Sequence, residues 1–151
     1  MVKAEEFWNH LCNELGYRFF TGVPCKGLKP LYDTMSPEFM HYIPAVNERV
    51  AAGMCNGAIL AGVKSAVLID FKNIYSIFDL IFNFNSVYKI PFLIIAYENK
   101  NNKINLNKIG LNIKHKYLSK TLFKPGMNKF IKVMEEDNTT GIVIIKEGIL
   151  E

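Results

Sequence analysis

The chain has 151 residues, half of them hydrophobic, and its 18 lysines and arginines against 14 aspartates and glutamates give a formal net charge of +4. A chain of this length can bury one sizeable core, so we expect a single domain over 1–151. The charge excess is smaller than is typical of nucleic-acid-binding proteins, and no apolar run approaches the roughly 20 residues that span a bilayer. We therefore expect neither a nucleic-acid nor a membrane partner.

The cysteines indicate a reducing environment. Cys12, Cys25 and Cys55 are odd in number and show no Cys-x-x-Cys spacing, which argues against a disulfide framework. The first six residues include two glutamates where a signal peptide would be apolar. The three histidines are scattered without metal-ligand spacing. These features predict a cytoplasmic protein that holds no metal ion by itself.

Hydrophobic periodicity predicts alternating helices and strands along the chain. Phe7, Leu11 and Leu15 recur at a spacing of four and indicate a first helix, which Gly16 ends. In chain order we expect helices over 4–15, 26–35, 47–61, 74–84 and 127–136, and strands over 17–21, 41–43, 65–70, 91–97 and 141–146. A polar loop is expected over 98–108, and the pattern over 109–122 is ambiguous.

This order of elements predicts the fold class. Strands that alternate with helices pair in parallel through right-handed crossovers. The run over 65–70 is continuously apolar, as expected for a strand covered on both faces. We therefore predict an α/β fold with three layers, α/β/α, around a mostly parallel sheet. The lysine- and asparagine-rich region 99–132 is either a solvated face or a positive rim that attracts an anionic substrate or an acidic partner.

Two strand ends carry unusual residues, and ligands of such sheets bind at the carboxyl ends of strands. One is the loop Thr21-Gly22-Val23-Pro24-Cys25, and the other is the stretch from Pro44 to Glu48. Glu48 opens a helix of small and apolar residues, with Asn47 as a plausible N-cap. A carboxylate is costly to bury there unless the protein uses it. The alternative is a solvated glutamate that the helix dipole stabilises.

These segments together resemble a known family. Thr21-Gly22-Val23-Pro24, Asn47-Glu48, Cys55-Asn56-Gly57-Ala58 and Val87-Tyr88-Lys89-Ile90-Pro91 match, in order and spacing, the pyrimidine-binding domain of thiamine-diphosphate-dependent decarboxylases. The likeness is greatest to sulfopyruvate and phosphonopyruvate decarboxylases, and it covers roughly residues 1–98. Under this resemblance the whole chain, 1–151, is one pyrimidine-binding domain.

The resemblance implies a cofactor and assigns roles to residues. It makes Glu48 the catalytic acid, hydrogen-bonded to the pyrimidine N1′, where it favours the imino tautomer that removes the thiazolium C2 proton. The resulting ylid attacks a 2-keto acid, and carbon dioxide leaves. Gly22, Val23, Pro24, Asn47 and Asn73 would line the cofactor beside Glu48.

The chain also departs from the family pattern. Family members carry Gln-Asn-Ser-Gly-Leu-Gly-Asn after the third strand, whereas this chain has Phe71-Lys72-Asn73-Ile74-Tyr75-Ser76-Ile77 and keeps only the asparagine at 73. The Gly-Asp-Gly and Asn motif that holds Mg²⁺ and the diphosphate is absent. We therefore expect thiamine diphosphate to be shared with a separate diphosphate-binding (beta) subunit that holds the Mg²⁺, and homodimer contacts through the pyrimidine domain.

The predicted function is the pyrimidine-binding subunit of a split 2-keto-acid decarboxylase, a carboxy-lyase that converts sulfopyruvate or phosphonopyruvate to the aldehyde. The rewritten stretch at 71–77 favours a second interpretation, a catalytically degenerate partner or regulatory subunit with the same fold. A flavodoxin-like domain for another ligand is a third.

Overall fold

A computed structural model describes residues 1–101, 103–108, 113–121 and 123–151. In that part of the chain, one sheet contains six strands in the order β2-β1-β3-β4-β6-β5, and every neighbouring pair is parallel. The strands are β1 (Phe19–Gly22), β2 (His41–Pro44), β3 (Ser65–Asp70), β4 (Phe92–Glu98), β5 (Lys114–Tyr117) and β6 (Thr140–Lys146).

Helical segments connect the strands. The α-helices are α1 (Ala4–Trp8), α2 (Lys29–Asp33), α3 (Glu48–Leu60), α4 (Phe78–Leu80), α5 (Ser86–Tyr88) and α6 (Phe123–Glu136). α1 continues into a π-helical segment, Asn9–Glu14, and a second π-helical segment, Ile81–Asn85, joins α4 to α5. Short 3₁₀ helices cover Lys26–Leu28, Phe71–Ile77 and Leu106–Lys108.

The sheet is buried on both faces, because its strands send alternate apolar side chains to opposite sides. In β3, Ala66 and Leu68 join the core under α1, α2 and α6, whereas Val67 and Ile69 join the core under α3 and the segments after β3. β6 alternates in the same way. Helical layers therefore cover both faces, and the predicted three-layer α/β fold is confirmed, with a sheet that is wholly parallel.

The strand predictions hold to within two residues, but the polar part of the chain differs. β5 falls within 109–122, the stretch whose pattern is ambiguous in the sequence. Its sequence Lys-His-Lys-Tyr is polar because it is an edge strand, where charged residues are tolerated. Residues 109–112 and 122 of that stretch lie outside the described residues. The region 98–108 is also less uniform than predicted, since β4 extends to Glu98 and Leu106–Lys108 is helical.

Residues 74–84 are helical, as predicted, but they do not form one regular α-helix. A 3₁₀ helix already begins at Phe71, and the helical path then runs through α4, a π segment and α5 to Tyr88. Phe71, Ile74 and Ile77 are all buried at a spacing of three, which fits 3₁₀ geometry better than an α-helix. Lys89, in the left-handed conformation, ends the path.

Candidate functional site

The carboxyl ends of β1, β2 and β3 lie side by side, and we call this place the β1–β3 rim. Gly22, the last residue of β1, lies opposite Pro44 at the end of β2 and opposite Leu68 of β3. After Pro44 the chain turns into α3, and the Ala45 amide donates a hydrogen bond to the Gly22 carbonyl oxygen at 2.9 Å. The rim therefore brings together the two segments that the sequence singled out.

Glu48 is the first residue of α3 and lies at this rim. The side chain of Asn47 accepts a hydrogen bond from the Val50 amide at 2.9 Å, so Asn47 is the N-cap, as predicted. Its side-chain oxygen is thus engaged by the helix. Glu48 is half-buried in this chain rather than enclosed. The helix start holds the backbone of Glu48, while its side chain keeps access to solvent.

Asn73 contacts Glu48 directly. The Asn73 side-chain amide donates to Oε1 of Glu48 at 2.7 Å, across 25 residues of sequence. Asn73 lies in the 3₁₀ helix after β3, and Asp70 caps that helix by accepting from the Lys72 amide at 3.2 Å. The Ser76 hydroxyl donates to the Asn73 carbonyl oxygen at 2.7 Å. The segments that follow β2 and β3, on either side of β1, therefore meet at one carboxyl group.

The cations beside Glu48 are paired with other carboxylates. Arg49 bonds Asp79 at 2.6 Å, and the Lys72 ammonium lies 3.5 Å from Asp70. Within the part of the chain that the structure describes, no cationic side chain pairs with Glu48.

The loop after β1 approaches the sheet closely. A Cβ atom on Gly22 would overlap the carbonyl group of Leu68, so only glycine allows β1 and β3 to end this close together. Val23 is half-buried and Pro24 is exposed at the rim. These residues present backbone and small apolar surface beside the start of α3. The hydrogen bond between Ala45 and Gly22 joins the loop to the segment that leads into Glu48.

Two tyrosines that the sequence analysis did not single out support this loop. The Tyr42 hydroxyl donates to the Gly22 carbonyl oxygen at 3.4 Å, and the Cys25 amide donates to the Tyr32 hydroxyl at 3.4 Å. The two rings pack at 5.6 Å. Burial raises the pKa of Tyr32, of Tyr42 and of the Cys25 thiol, so all three stay neutral near pH 7 and act as packing groups.

A tyrosine near a strand end is too common to be a signal by itself, which is why sequence reasoning missed this pair.

In the described ranges, no group of three or more histidine, cysteine, aspartate or glutamate side chains is arranged to hold a metal ion. None of the helices in those ranges is both long and apolar enough to cross a membrane.

Comparison with curated proteins identifies relatives of one kind. The chain is 36% identical over 81 residues to the alpha subunit of sulfopyruvate decarboxylase from Methanococcus maripaludis, which covers 53% of this chain and 48% of that protein. The alpha subunit from Methanocaldococcus jannaschii is 36% identical over 78 residues, covering 51% of this chain and 46% of that protein. The chain thus spans about half the length of the curated relatives it matches. No protein-family model matches the chain.

Solved structures share the fold over nearly the whole chain. A 2-oxoglutarate:ferredoxin oxidoreductase from Magnetococcus marinus superposes with a TM-score of 0.77 at 13% identity, covering 95% of this chain and 28% of that one. A protein from Mycobacterium smegmatis described as a thiamin diphosphate-dependent enzyme gives 0.67 at 12% identity, covering 96% and 30%. Together with the alpha subunits, these matches confirm the resemblance to thiamine-diphosphate-dependent decarboxylases.

Proposed function

We propose that this chain is the pyrimidine-binding subunit of a split thiamine-diphosphate-dependent 2-keto-acid decarboxylase. The observation that carries the proposal is Glu48, which begins α3 at the β1–β3 rim and receives a 2.7 Å hydrogen bond from Asn73. The likeness to sulfopyruvate decarboxylase alpha subunits supports the same assignment.

The residues at the rim fit a pyrimidine ring. Glu48 has one oxygen bonded to Asn73 and is half-exposed, so its other oxygen can hold a proton and donate it to a ring nitrogen. Gly22, Val23 and Pro24 offer a surface without charge, on which a flat ring can pack. The bound cofactor supplies an electron sink for the electrons released when carbon dioxide leaves. In this proposal Glu48 holds and moves the proton, and Asn47 keeps the helix start in place.

The rest of the cofactor belongs to a second chain in this proposal. The sequence has no Gly-Asp-Gly motif for Mg²⁺ and the diphosphate, and the curated relatives are named as alpha subunits. A diphosphate-binding beta subunit would hold the Mg²⁺. Cys12, Cys25 and Cys55 are free thiols, which agrees with a reducing compartment such as the cytoplasm.

The proposed substrate is a small anionic 2-keto acid, sulfopyruvate or phosphonopyruvate, and the product is the corresponding aldehyde. The names of the relatives support sulfopyruvate. The net charge of +4 favours the approach of a dianionic acid. The complex with the partner subunit is given each keto acid in turn, and the rates of carbon dioxide release show which of the two is the substrate.

Replacement of Glu48 tests the assignment. In the complex with the diphosphate-binding partner, Glu48→Gln should lower kcat about 100-fold or more, because the glutamine cannot exchange a proton. Carbon dioxide release measures turnover, and isothermal titration with thiamine diphosphate and Mg²⁺ measures cofactor binding. Glu5→Gln is the matched control, since Glu5 also lies in the first turn of a helix but is remote in sequence and exposed. Unchanged turnover in Glu48→Gln would refute the proposal.

A catalytically degenerate partner or regulatory subunit remains the second candidate. The observation in its favour is the 3₁₀ helix Phe71–Ile77, which buries three large apolar side chains where the family has a polar, glycine-rich turn. A complex that binds thiamine diphosphate but releases no carbon dioxide from either keto acid would support this candidate instead.

We also propose that two copies of the chain meet through α3. Val50, Gly53, Gly57 and Leu60 recur at three- and four-residue spacing along its outer side, and Val50 and Leu60 are 42% and 66% exposed. A Cβ atom on either glycine would meet nothing within 4 Å. An apolar helix face open to close approach suits a second copy, with Glu48 at one end of the contact.

A further inference from the structure

Asn73 is bonded to one particular oxygen of Glu48. Its side-chain nitrogen Nδ2 donates to Oε1 at 2.7 Å, which is short for an N–H···O bond and typical of a charged or strongly polarised acceptor. The Ser76 hydroxyl and the Asp70 cap hold the 3₁₀ helix that carries Asn73. The amide is therefore presented to Glu48 by a fixed segment rather than by a free side chain.

An amide N–H can only donate, and this restricts where a proton can lie on Glu48. A proton on Oε1 would turn that oxygen into the hydroxyl of the acid, which is a much weaker acceptor than the carbonyl oxygen, and the 2.7 Å bond from Nδ2 would be weakened. A proton on Oε2 leaves Oε1 as an acceptor and keeps the bond. Asn73 thus favours one of the two protonated forms of the carboxyl group.

The charged groups around this pair do not compete for the same oxygen. Arg49 is paired with Asp79, and Lys72 with Asp70. These are the titratable side chains next to Glu48 and Asn73 along their own segments. Neither cation forms an ion pair with Glu48 in the described part of the chain, so the neutral amide of Asn73 decides which oxygen is the acceptor.

We propose that Asn73 is a positioning residue that reserves Oε1 of Glu48 as an acceptor, so that the exchangeable proton of Glu48 is carried by Oε2. The carboxyl group then offers its donor in one direction only. This inference rests on the proposed function for its use, since a donor of fixed direction is what a ring nitrogen at the rim would require. Contact with the cofactor, the role that the family resemblance gives Asn73, stays a prediction beside it.

Nuclear magnetic resonance of the isolated chain tests the choice of oxygen without any cofactor. The hydrogen-bonded amide proton of Asn73 should give a shifted side-chain signal in the wild type, and Glu48→Ala, which has no acceptor, gives the reference for the unbonded amide. The shifted signal should persist in Glu48→Gln, whose side-chain oxygen can take the place of Oε1. It should also persist in the wild type as acid protonates Glu48 in the folded chain. Collapse of the signal to the Glu48→Ala position on protonation would overturn the inference.

Asn73→Asp tests the consequence in the complex with the partner subunit. The aspartate keeps the shape of asparagine but presents an acceptor to Oε1, so we expect kcat to fall about 10-fold or more. Asn128→Asp is the matched control, because it makes the same chemical change at an exposed position of α6, away from Glu48 and the 3₁₀ helix. Its kcat should stay within about 2-fold of the wild type.

The two failures are distinguishable. If Glu48→Gln abolishes turnover but Asn73→Asp matches Asn128→Asp, this inference is wrong and the proposed function stands. If Glu48→Gln leaves turnover intact, the proposed function fails, whatever the signal of the Asn73 amide shows.

Discussion

Gly22 shows how one residue decides whether the β1–β3 rim can form. β1 and β3 end so close together that a side chain at this position would overlap the carbonyl group of Leu68. The Gly22 carbonyl oxygen also accepts from Ala45 and from Tyr42. Glycine is therefore required by the approach of two backbones, and a shift here would carry the start of α3 with it.

Replacing Gly22 should destabilise the fold. Gly22→Ala forces backbone against backbone, and we expect the free energy of unfolding to fall by about 2 kcal/mol or more. Urea denaturation followed by circular dichroism measures the change. Gly57→Ala is the control, because its Cβ atom meets nothing and an alanine in a helix interior should instead add about 0.5–1 kcal/mol. If Gly22→Ala and Gly57→Ala changed the free energy of unfolding by the same amount, this account of the rim would be contradicted.

At the scale of elements, a buried amide pair fixes α3 against the segment that follows β3. The Asn56 amide donates to Asn85 at 3.1 Å, and the Asn85 amide donates back to Asn56 at 2.7 Å. Both side chains are buried. Because each amide satisfies the other, the pair sets the register of α3, and so of Glu48, against the π-helical segment.

The losses from removing the two amides should not add. Asn85→Leu leaves the buried amide of Asn56 without its partner, so we expect a loss of about 1–3 kcal/mol in the free energy of unfolding. Asn56→Leu should behave alike, and the double variant should lose less than the sum of the two. Denaturant titrations of the four proteins give this cycle. Additive losses would show that the two amides do not depend on each other.

The elements that the sequence predicted well are those whose periodicity comes from burial. β3, β4 and β6 are continuous apolar runs, and α3 has a cap at Asn47, so their positions follow from local chemistry. β5 is polar, and its pairing with β6 is decided by tertiary contact rather than by its own residues. The helix after β3 tightens into 3₁₀ and widens into π turns to place Phe71, Ile74 and Asn85 in the core, which no single period describes.

The candidate site was predictable in part for the same reason. Glu48 and Asn47 stand at a helix start that the sequence marks, and Gly22 follows a recognisable strand. The contact between Asn73 and Glu48 joins residues 25 apart, and it depends on the 3₁₀ helix that the sequence did not predict. Tyr32 and Tyr42 reach the loop after β1 from two different elements, so no local pattern announces them.

On the scale of the whole molecule, the proposed contact between two copies through the outer side of α3 can be tested at Gly53. Gly53 is exposed, and nothing lies within 4 Å of a Cβ atom placed there, so a larger side chain leaves the chain free to fold. A charge at the same place would have to be buried between two copies if they meet as proposed, which is unfavourable without a partner.

Gly53→Glu should therefore separate folding from assembly. We expect an unchanged circular dichroism spectrum and a dimer Kd raised about 10-fold or more, as measured by analytical ultracentrifugation. Asn128→Glu is the matched control, because Asn128 is an exposed position of α6 on the other layer. A Kd that both variants leave unchanged would place the contact between copies elsewhere.

The all-parallel sheet also has a consequence for how the chain folds. Among the described strands, no neighbouring pair is joined by a hairpin, and Phe19 of β1 pairs with both His41 and Ser65, which are distant in sequence. Pairings between distant residues form slowly, because the entropy of closing the intervening chain is lost first. The β1–β3 rim needs all three of its strands, so Glu48 and Asn73 can meet only after β3 has docked. We therefore expect the β1–β3 rim and the contact between Asn73 and Glu48 to form in one kinetic step, when β3 joins the sheet.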